Sequence, residues 1–121
     1  MTKKKMPAPE SFLPLKPVAF HLLLCLGEGE RHGYALKREI ARRTEGAIQL
    51  GPGSLYSALQ KLEEQGLIEE SGERPDPHLD DERRRYYRIT ELGTAVARAE
   101  AARMRELVEL SEARFGVPEA H

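Results

Sequence analysis

Gly51-Pro52-Gly53-Ser54-Leu55-Tyr56-Ser57-Ala58-Leu59-Gln60-Lys61-Leu62-Glu63-Glu64-Gln65-Gly66 reads as one helix with two unlike faces. At about 100° of rotation per residue, Leu55, Leu59 and Leu62 gather on one side with Ala58 beside them. Gly53, Ser57 and Gln60 fall opposite, flanked by Ser54, Tyr56 and Lys61. That second face has short side chains near the helix N-terminus and hydrogen-bonding groups one turn later. A helix lying in the major groove of DNA needs such a face, because bulk near its start would hold it away from the base edges. Taken alone, the stretch fits an ordinary surface helix equally well.

Reading outward toward the N-terminus, residues 18–26 are almost entirely apolar, preceded by Pro17 and closed by Gly27 and Gly29. This predicts a first helix, greasy all round and buried between the domain body and a partner. His32-Gly33-Tyr34 opens a second helix to about residue 44. Leu36, Ile40 and Ala41 face inward there, Lys37, Arg38, Arg42 and Arg43 outward, and Gly46 stops it. Ile48-Gln49-Leu50 alternates like a strand but is too short to be more than a bridge.

Toward the C-terminus, Gly66 supplies a left-handed cap and residues 67–70 read as a strand. Residues 71–82 form a polar loop whose two prolines, Pro75 and Pro77, are expected to break any ladder. Residues 83–90 return as a strand, with Tyr87 and Ile89 on one face and Arg84, Tyr86 and Arg88 on the other. Thr90 is a good N-cap for a final helix to about residue 115, with Glu91 near its positive end. Leu92, Val96, Ala99, Met104, Leu107, Val108 and Leu110 recur along it at steps of three and four. So small a body cannot cover that stripe, and pairing with a second copy is the natural remedy.

The expected fold class is therefore mainly α with a small β-hairpin wing (α+β), a winged helix-turn-helix plus a C-terminal dimerisation helix. The expected divisions are a flexible tail at 1–15, the winged domain at 16–90, the dimerisation helix at 91–115 and a second tail at 116–121.

Composition agrees with a small reader of nucleic acid once charge is resolved by region. The net charge of −1 over 121 residues hides segregation. Residues 31–61 hold six Lys/Arg against two acids, and residues 82–88 hold four arginines and one acid. Residues 62–81 reverse this, with eight acids and one arginine. Phosphate affinity follows the local patch, where counterions are displaced, and not the total. Chance segregation in a chain with 32% charged residues is the competing account. One cysteine, Cys25, excludes an intrachain disulfide framework and suits a reducing cytoplasm. In its greasy helix it reads as a small buried hydrophobe. Neither a signal peptide nor a membrane span is expected: Lys3-Lys4-Lys5 is followed by no hydrophobic region, and no apolar run approaches ~20 residues.

Catalysis and metal binding find no support. Gly51-Pro52-Gly53-Ser54 lacks the lysine and the spacing of a phosphate loop, so no catalytic residue and no cofactor is expected. His21, His78 and His121 have no carboxylate or thiol at ligand spacing, and His32 is expected to close the turn before the second helix, so no metal site is expected either. A winged helix that docks protein instead of DNA is the remaining rival, since such folds are reused. Three consecutive arginines suit a duplex better than an apolar protein surface.

Four motifs in order resemble those of the PadR family of bacterial transcriptional regulators. They are His32-Gly33-Tyr34, Gly53-Ser54-Leu55-Tyr56-Ser57-Ala58-Leu59, Leu62-Glu63 continuing to Gly66-Leu67-Ile68, and Arg85-Tyr86-Tyr87-Arg88-Ile89-Thr90 with Gly93. The resemblance covers roughly residues 17–110 and, with one C-terminal helix, is to the short subfamily. It implies a winged-helix homodimer that usually represses its promoters and often responds to a small molecule. Two features depart from familiar relatives. The wing loop is long and acidic, and the absence of tryptophan removes the aromatic drug-stacking platform of some relatives in that form.

The parts then suggest roles. Gly53, Ser54 and Tyr56 would bond phosphates at the helix N-terminus, and Ser57, Gln60 and Lys61 would reach base edges. Tyr34 and Lys37 would clamp the adjacent backbone, with Arg83, Arg84 and Arg85 adding charge at the wing. Tyr56 and Tyr86 have a packing alternative at the sheet edge, and Tyr87 reads as core. A two-fold dimer predicts inverted half-sites about 34 Å apart on a double-stranded operator. A pocket for a small hydrophobic or aromatic effector would lie where the first and last helices meet across the dimer, lined by Phe20, Leu24, Met104 and Val108.

Overall fold

Leucines at helical spacing bring three helices together, and a computed structural model of the protein describes residues 6–75 and 83–119. The elements run α1 (Pro17–Leu26), β1 (Arg31–His32), α2 (Gly33–Arg43), α3 (Pro52–Glu64), β2 (Ile68–Pro75), β3 (Arg83–Ile89) and α4 (Glu91–Phe115). Leu22, Leu23 and Leu26 of α1 meet Leu36 and Ile40 of α2 and Leu55, Leu59 and Leu62 of α3 in one core. Tyr87 of β3 closes that core from the sheet side, and Leu92 and Val96 of α4 close it from the end. Leu36 and Ile40 of α2 and Leu55, Leu59 and Leu62 of α3 therefore face inward as expected, with Ala58 packed against them, whereas Ala41 lies only half-buried outside this core. Cys25 is fully buried, and loss of water with Glu39 beside it pushes its thiol up to about 12. That thiol is an inert core atom.

The sheet has three antiparallel strands in the order β1-β3-β2. Its third strand is Arg31–His32, paired with Tyr87 and Tyr86, whereas Ile48-Gln49-Leu50 forms no strand. His32 ends β1 and also starts α2: its Nδ1 accepts the Ala35 N–H at 3.1 Å. The reading of residues 71–82 as a loop is corrected as well. β2 continues to Pro75 opposite Arg83, past a register shift between Glu70 and Gly72. A bulge absorbs the irregular sequence and keeps the ladder going. Pro77 and His78 lie outside the described residues.

Gly66, at φ 78°, turns the chain out of α3 as expected. Thr90 joins this turn to α4 through one hydroxyl, which donates to the Gly66 carbonyl at 2.6 Å and accepts the Gly93 N–H at 3.0 Å. The N-cap expected from sequence thus also locks the hairpin base onto the core.

The expected tail at 1–15 is corrected over its second half. Pro9–Phe12 form a 3-10 turn, and Phe12, Leu13 and Leu15 pack on the core. The Leu15 N–H donates to Glu100 Oε2 of α4 at 2.7 Å. Glu100 is completely covered and is also ion-paired with Arg103, which is itself a third exposed. A carboxylate can stay charged here because both its oxygens have partners and the cover is thin. Arg103 first, and the Leu15 amide after it, hold its carboxyl below the usual range against the opposing effect of burial. A lowered folded-state pKa contributes stability above the unfolded carboxylate pKa, and this is lost as pH falls through the folded value. Acidification below about pH 4.3 should therefore lower the melting temperature of the wild type more than that of Glu100→Gln, as followed by circular dichroism. Parallel pH profiles would show that this carboxylate does not anchor the segment.

Candidate nucleic-acid interface

Burial of Leu55, Leu59 and Leu62 leaves Gly53, Ser54, Tyr56, Ser57, Gln60 and Lys61 all exposed on the opposite side of α3. Gly51, the N-cap, has no side chain to cap the first turn, so the amides of that turn are left to an outside acceptor. Beside that helix start lies α2. Its Gly33 packs under α3, where a Cβ would sit 3.5 Å from Leu55 and 3.6 Å from the Tyr56 ring. This close approach puts the first turns of α2 and α3 side by side, so that Tyr34 and Tyr56 both stand about half exposed on one surface.

The wing joins the same surface through Tyr34. The Arg84 guanidinium lies over its ring at 5.0 Å and that of Arg38 at 5.7 Å. Both contacts are cation–π attractions that hold two long cationic side chains against one rigid plate. Arg38, one turn after Tyr34, was among the outward-facing cations of α2 but not among the predicted contacts. Its four-residue spacing from an aromatic was the available signal. His32 of the edge strand β1 and Tyr86 of the central strand β3 meet edge to face at 5.4 Å, so Tyr86 packs against its cross-strand neighbour rather than at the sheet edge.

The three wing arginines divide. Arg84 reaches the Tyr34 plate, Arg85 pairs with Glu70 at 3.4 Å, and the side chain of Arg83 lies outside the described residues. Arg88 pairs with Glu69 across the ladder at 2.6 Å. The α2 island divides too: Arg42 and Arg43 pair with Glu39, and Arg31 with Glu28. Among the described residues, Lys37, Arg38 and Lys61 have no carboxylate partner. These three border the exposed face of α3 or the Tyr34 plate. The structure therefore brings Tyr34, Arg84 and the α3 face to one side and leaves local cations un-neutralised there. In one subunit Leu24, Met104 and Val108 are exposed and Phe20 is half-buried.

Residues 22–99 match the PadR-like family of transcriptional regulators. The chain belongs to that family. Its members regulate transcription by binding DNA and are not enzymes. This PadR-like protein is 34% identical over 92 residues to protein X of Lysinibacillus sphaericus, covering 74% of this chain and 82% of that protein. It is 33% identical over 90 residues to the transcriptional regulator Rv3488 of Mycobacterium tuberculosis, covering 74% and 78%. A transcriptional regulator from Clostridium thermocellum has a similar structure, with a TM-score of 0.64 at 28% identity over 81% of this chain and 91% of that one. Four helices and a small antiparallel sheet are thus the winged-helix arrangement expected of a PadR-like protein. Among the described residues no helix is long and apolar enough to cross a membrane.

Proposed function

We propose that the chain is a cytoplasmic repressor that binds a pseudo-palindromic operator as a homodimer and is relieved by a small-molecule effector. The observation that carries the DNA-reading part is the exposed face of α3, where Gly53, Ser57, Gln60 and Lys61 are joined by one acid, Glu64, only at the C-terminal end, standing beside the Tyr34–Arg38–Arg84 cluster. Gly53, Ser54 and Tyr56 bond phosphate at the start of α3, and Ser57, Gln60 and Lys61 reach base edges. Gln60 suits adenine, Lys61 guanine. Tyr34, Lys37, Arg38 and Arg84 grip the neighbouring backbone, with Arg83 and Arg85 further along the wing. The effector pocket is placed between the subunits at Phe20, Leu24, Met104 and Val108; Leu24, Met104 and Val108 are exposed in one subunit and therefore available to line it.

Selection of duplexes from a random pool tests the reading. Against the selected duplex, Gln60→Ala is expected to relax preference at one position by about 1–3 kcal/mol. Arg84→Ala is expected to weaken every sequence alike and to flatten the salt slope by about one unit. Gel shifts at two salt concentrations in which both variants match the wild type would remove α3 and the wing from the interface. A reporter driven from the selected duplex should be silenced by the intact protein; activation would reverse the sign of regulation.

A further inference from the structure

We infer that a cleft between the N-terminal segment and α3 binds a small amphiphilic organic anion, and that its occupant excludes DNA; the exclusion rests on the reading of α3 given above. The cleft has a volume of about 420 Å³, within the range of small-molecule sites. Phe12, Leu15, Val18 and Ala19 form one wall, and Ala58 and Leu62 the other. Pro14, Lys16, Ser57, Lys61 and Gln65 complete the lining, which contains no carboxylate. Among the described residues neither lysine is ion-paired.

These walls select a ligand class. An apolar body is needed to cover the aliphatic and aromatic surface, and a single anionic group to satisfy the two ammonium groups. A cation is repelled, and a neutral hydrocarbon leaves both lysines beside it uncompensated. The site is built on fixed parts: Leu62 anchors α3 in the core, while the Leu15–Glu100 hydrogen bond holds the opposite wall. Ser57 and Lys61 belong both to the cleft and to the exposed face of α3. They cannot hold an anion in the cleft and reach base edges together. This mode of release acts at the reading helix itself, without rearrangement of a dimer, and by linkage the duplex must weaken the ligand as the ligand weakens the duplex.

The probe is 8-anilinonaphthalene-1-sulfonate, two apolar ring systems with one negative charge, titrated by fluorescence into the full chain. Saturable binding is expected, weakened about threefold to fivefold by Lys16→Ala and abolished by Ala19→Phe, which fills the cleft. Should Ala19→Phe fail to fold, Lys16→Glu replaces it, with a larger loss than Lys16→Ala. The uncharged analogue N-phenyl-1-naphthylamine should bind more weakly than the sulfonate. The selected duplex should displace the probe, and Lys16→Ala should leave duplex affinity unchanged. Wild-type binding that none of these variants alters would overturn the site, because the probe then sits elsewhere. Absence of binding would overturn it too, and recovery on deleting residues 115–121 would identify the second copy's C-terminal end as the occupant. Probe binding in the cleft without displacement by duplex would overturn the exclusion and leave the site. A pool that yields no duplex overturns the DNA reading and the exclusion with it, while the probe titration still decides the site.

Discussion

Gly93→Ala is expected to lower the melting temperature by roughly 15 °C or more, although it adds one methyl group to a helix. The added Cβ would lie 2.0 Å from the Leu67 carbonyl oxygen, 2.9 Å from its carbon and 2.8 Å from Ile89 Cγ1. Two of these obstacles are backbone. The Leu67 carbonyl accepts the Thr90 N–H at 3.1 Å, the Leu67 N–H donates to the Leu62 carbonyl at 3.0 Å, and its side chain is fully buried. Relief therefore requires α4 to lift away from the sheet, withdrawing Leu92 and Val96 from the core and breaking the Thr90 cap. Overpacking alone costs about 1–3 kcal/mol, and a clash with fixed backbone exceeds that. About 3–5 kcal/mol is a large part of a total near 5–15 kcal/mol, and each kcal/mol is worth about 4 °C at 121 residues. Gly53→Ala is the matched control, because a Cβ there meets nothing within 4 Å. It should melt at or slightly above the wild-type temperature, since alanine favours a helix interior. Indistinguishable melts for the two variants would show that α4 does not seat on Leu67 and Ile89 as closely as the structure has it.

What could be read in advance was whatever repeats over several residues. The leucines of α3, the Tyr87–Ile89 alternation and the Thr90 cap each reflect a local rule, and each appears where that rule puts it. Two residues cannot establish a period, so no local pattern marks β1 at Arg31–His32, whereas the three-residue alternation at Ile48 mimics a strand. Three prolines between residues 7 and 14 suggested a tail, although proline-rich chain packs well once Phe12, Leu13 and Leu15 have a surface to cover. Glu100 is one of several acids along α4, and nothing beside it in the sequence marks it for burial. Its burial depends on Leu15, 85 residues away in sequence, and no local pattern encodes that partner. On the candidate surface, the exposed face of α3 was legible because the opposite face is leucine. The stacking of Arg38 and Arg84 on Tyr34 was not, because it depends on where β3 passes α2. Arginine triplets also read as one patch in sequence, whereas strand alternation sends neighbours to different partners, as Arg84 and Arg85 show.

Replacing Leu107 and Val108 together by glutamate is expected to yield a monomer and to weaken operator binding by about 100-fold to 1,000-fold. One stripe runs the length of α4. Its first half, Gly93, Val96 and Glu100, is buried within the subunit. At the same spacing of three and four, Met104, Leu107, Val108, Ser111 and Phe115 continue it past the body, all exposed, with Phe115 at 86%. Leu110 falls off the line. Soluble proteins seldom leave so long an apolar seam to water, and a second α4 has the matching seam. Two glutamates in each copy would place four charges in that contact, and ions taken out of water without partners cost several kcal/mol apiece. The reading face is untouched, so each free subunit should hold a single half-site as the wild-type head does. What disappears is the tethering of the second head, which makes its contact intramolecular and multiplies affinity by about 10² to 10⁴. Sedimentation equilibrium gives the mass, and gel shifts on full and half operators separate the two effects. A double variant that stays dimeric would move the subunit contact off this seam. A monomer that keeps full-operator affinity would show that one winged domain is enough to read the duplex, and the expected inverted repeat would then have no basis in the protein.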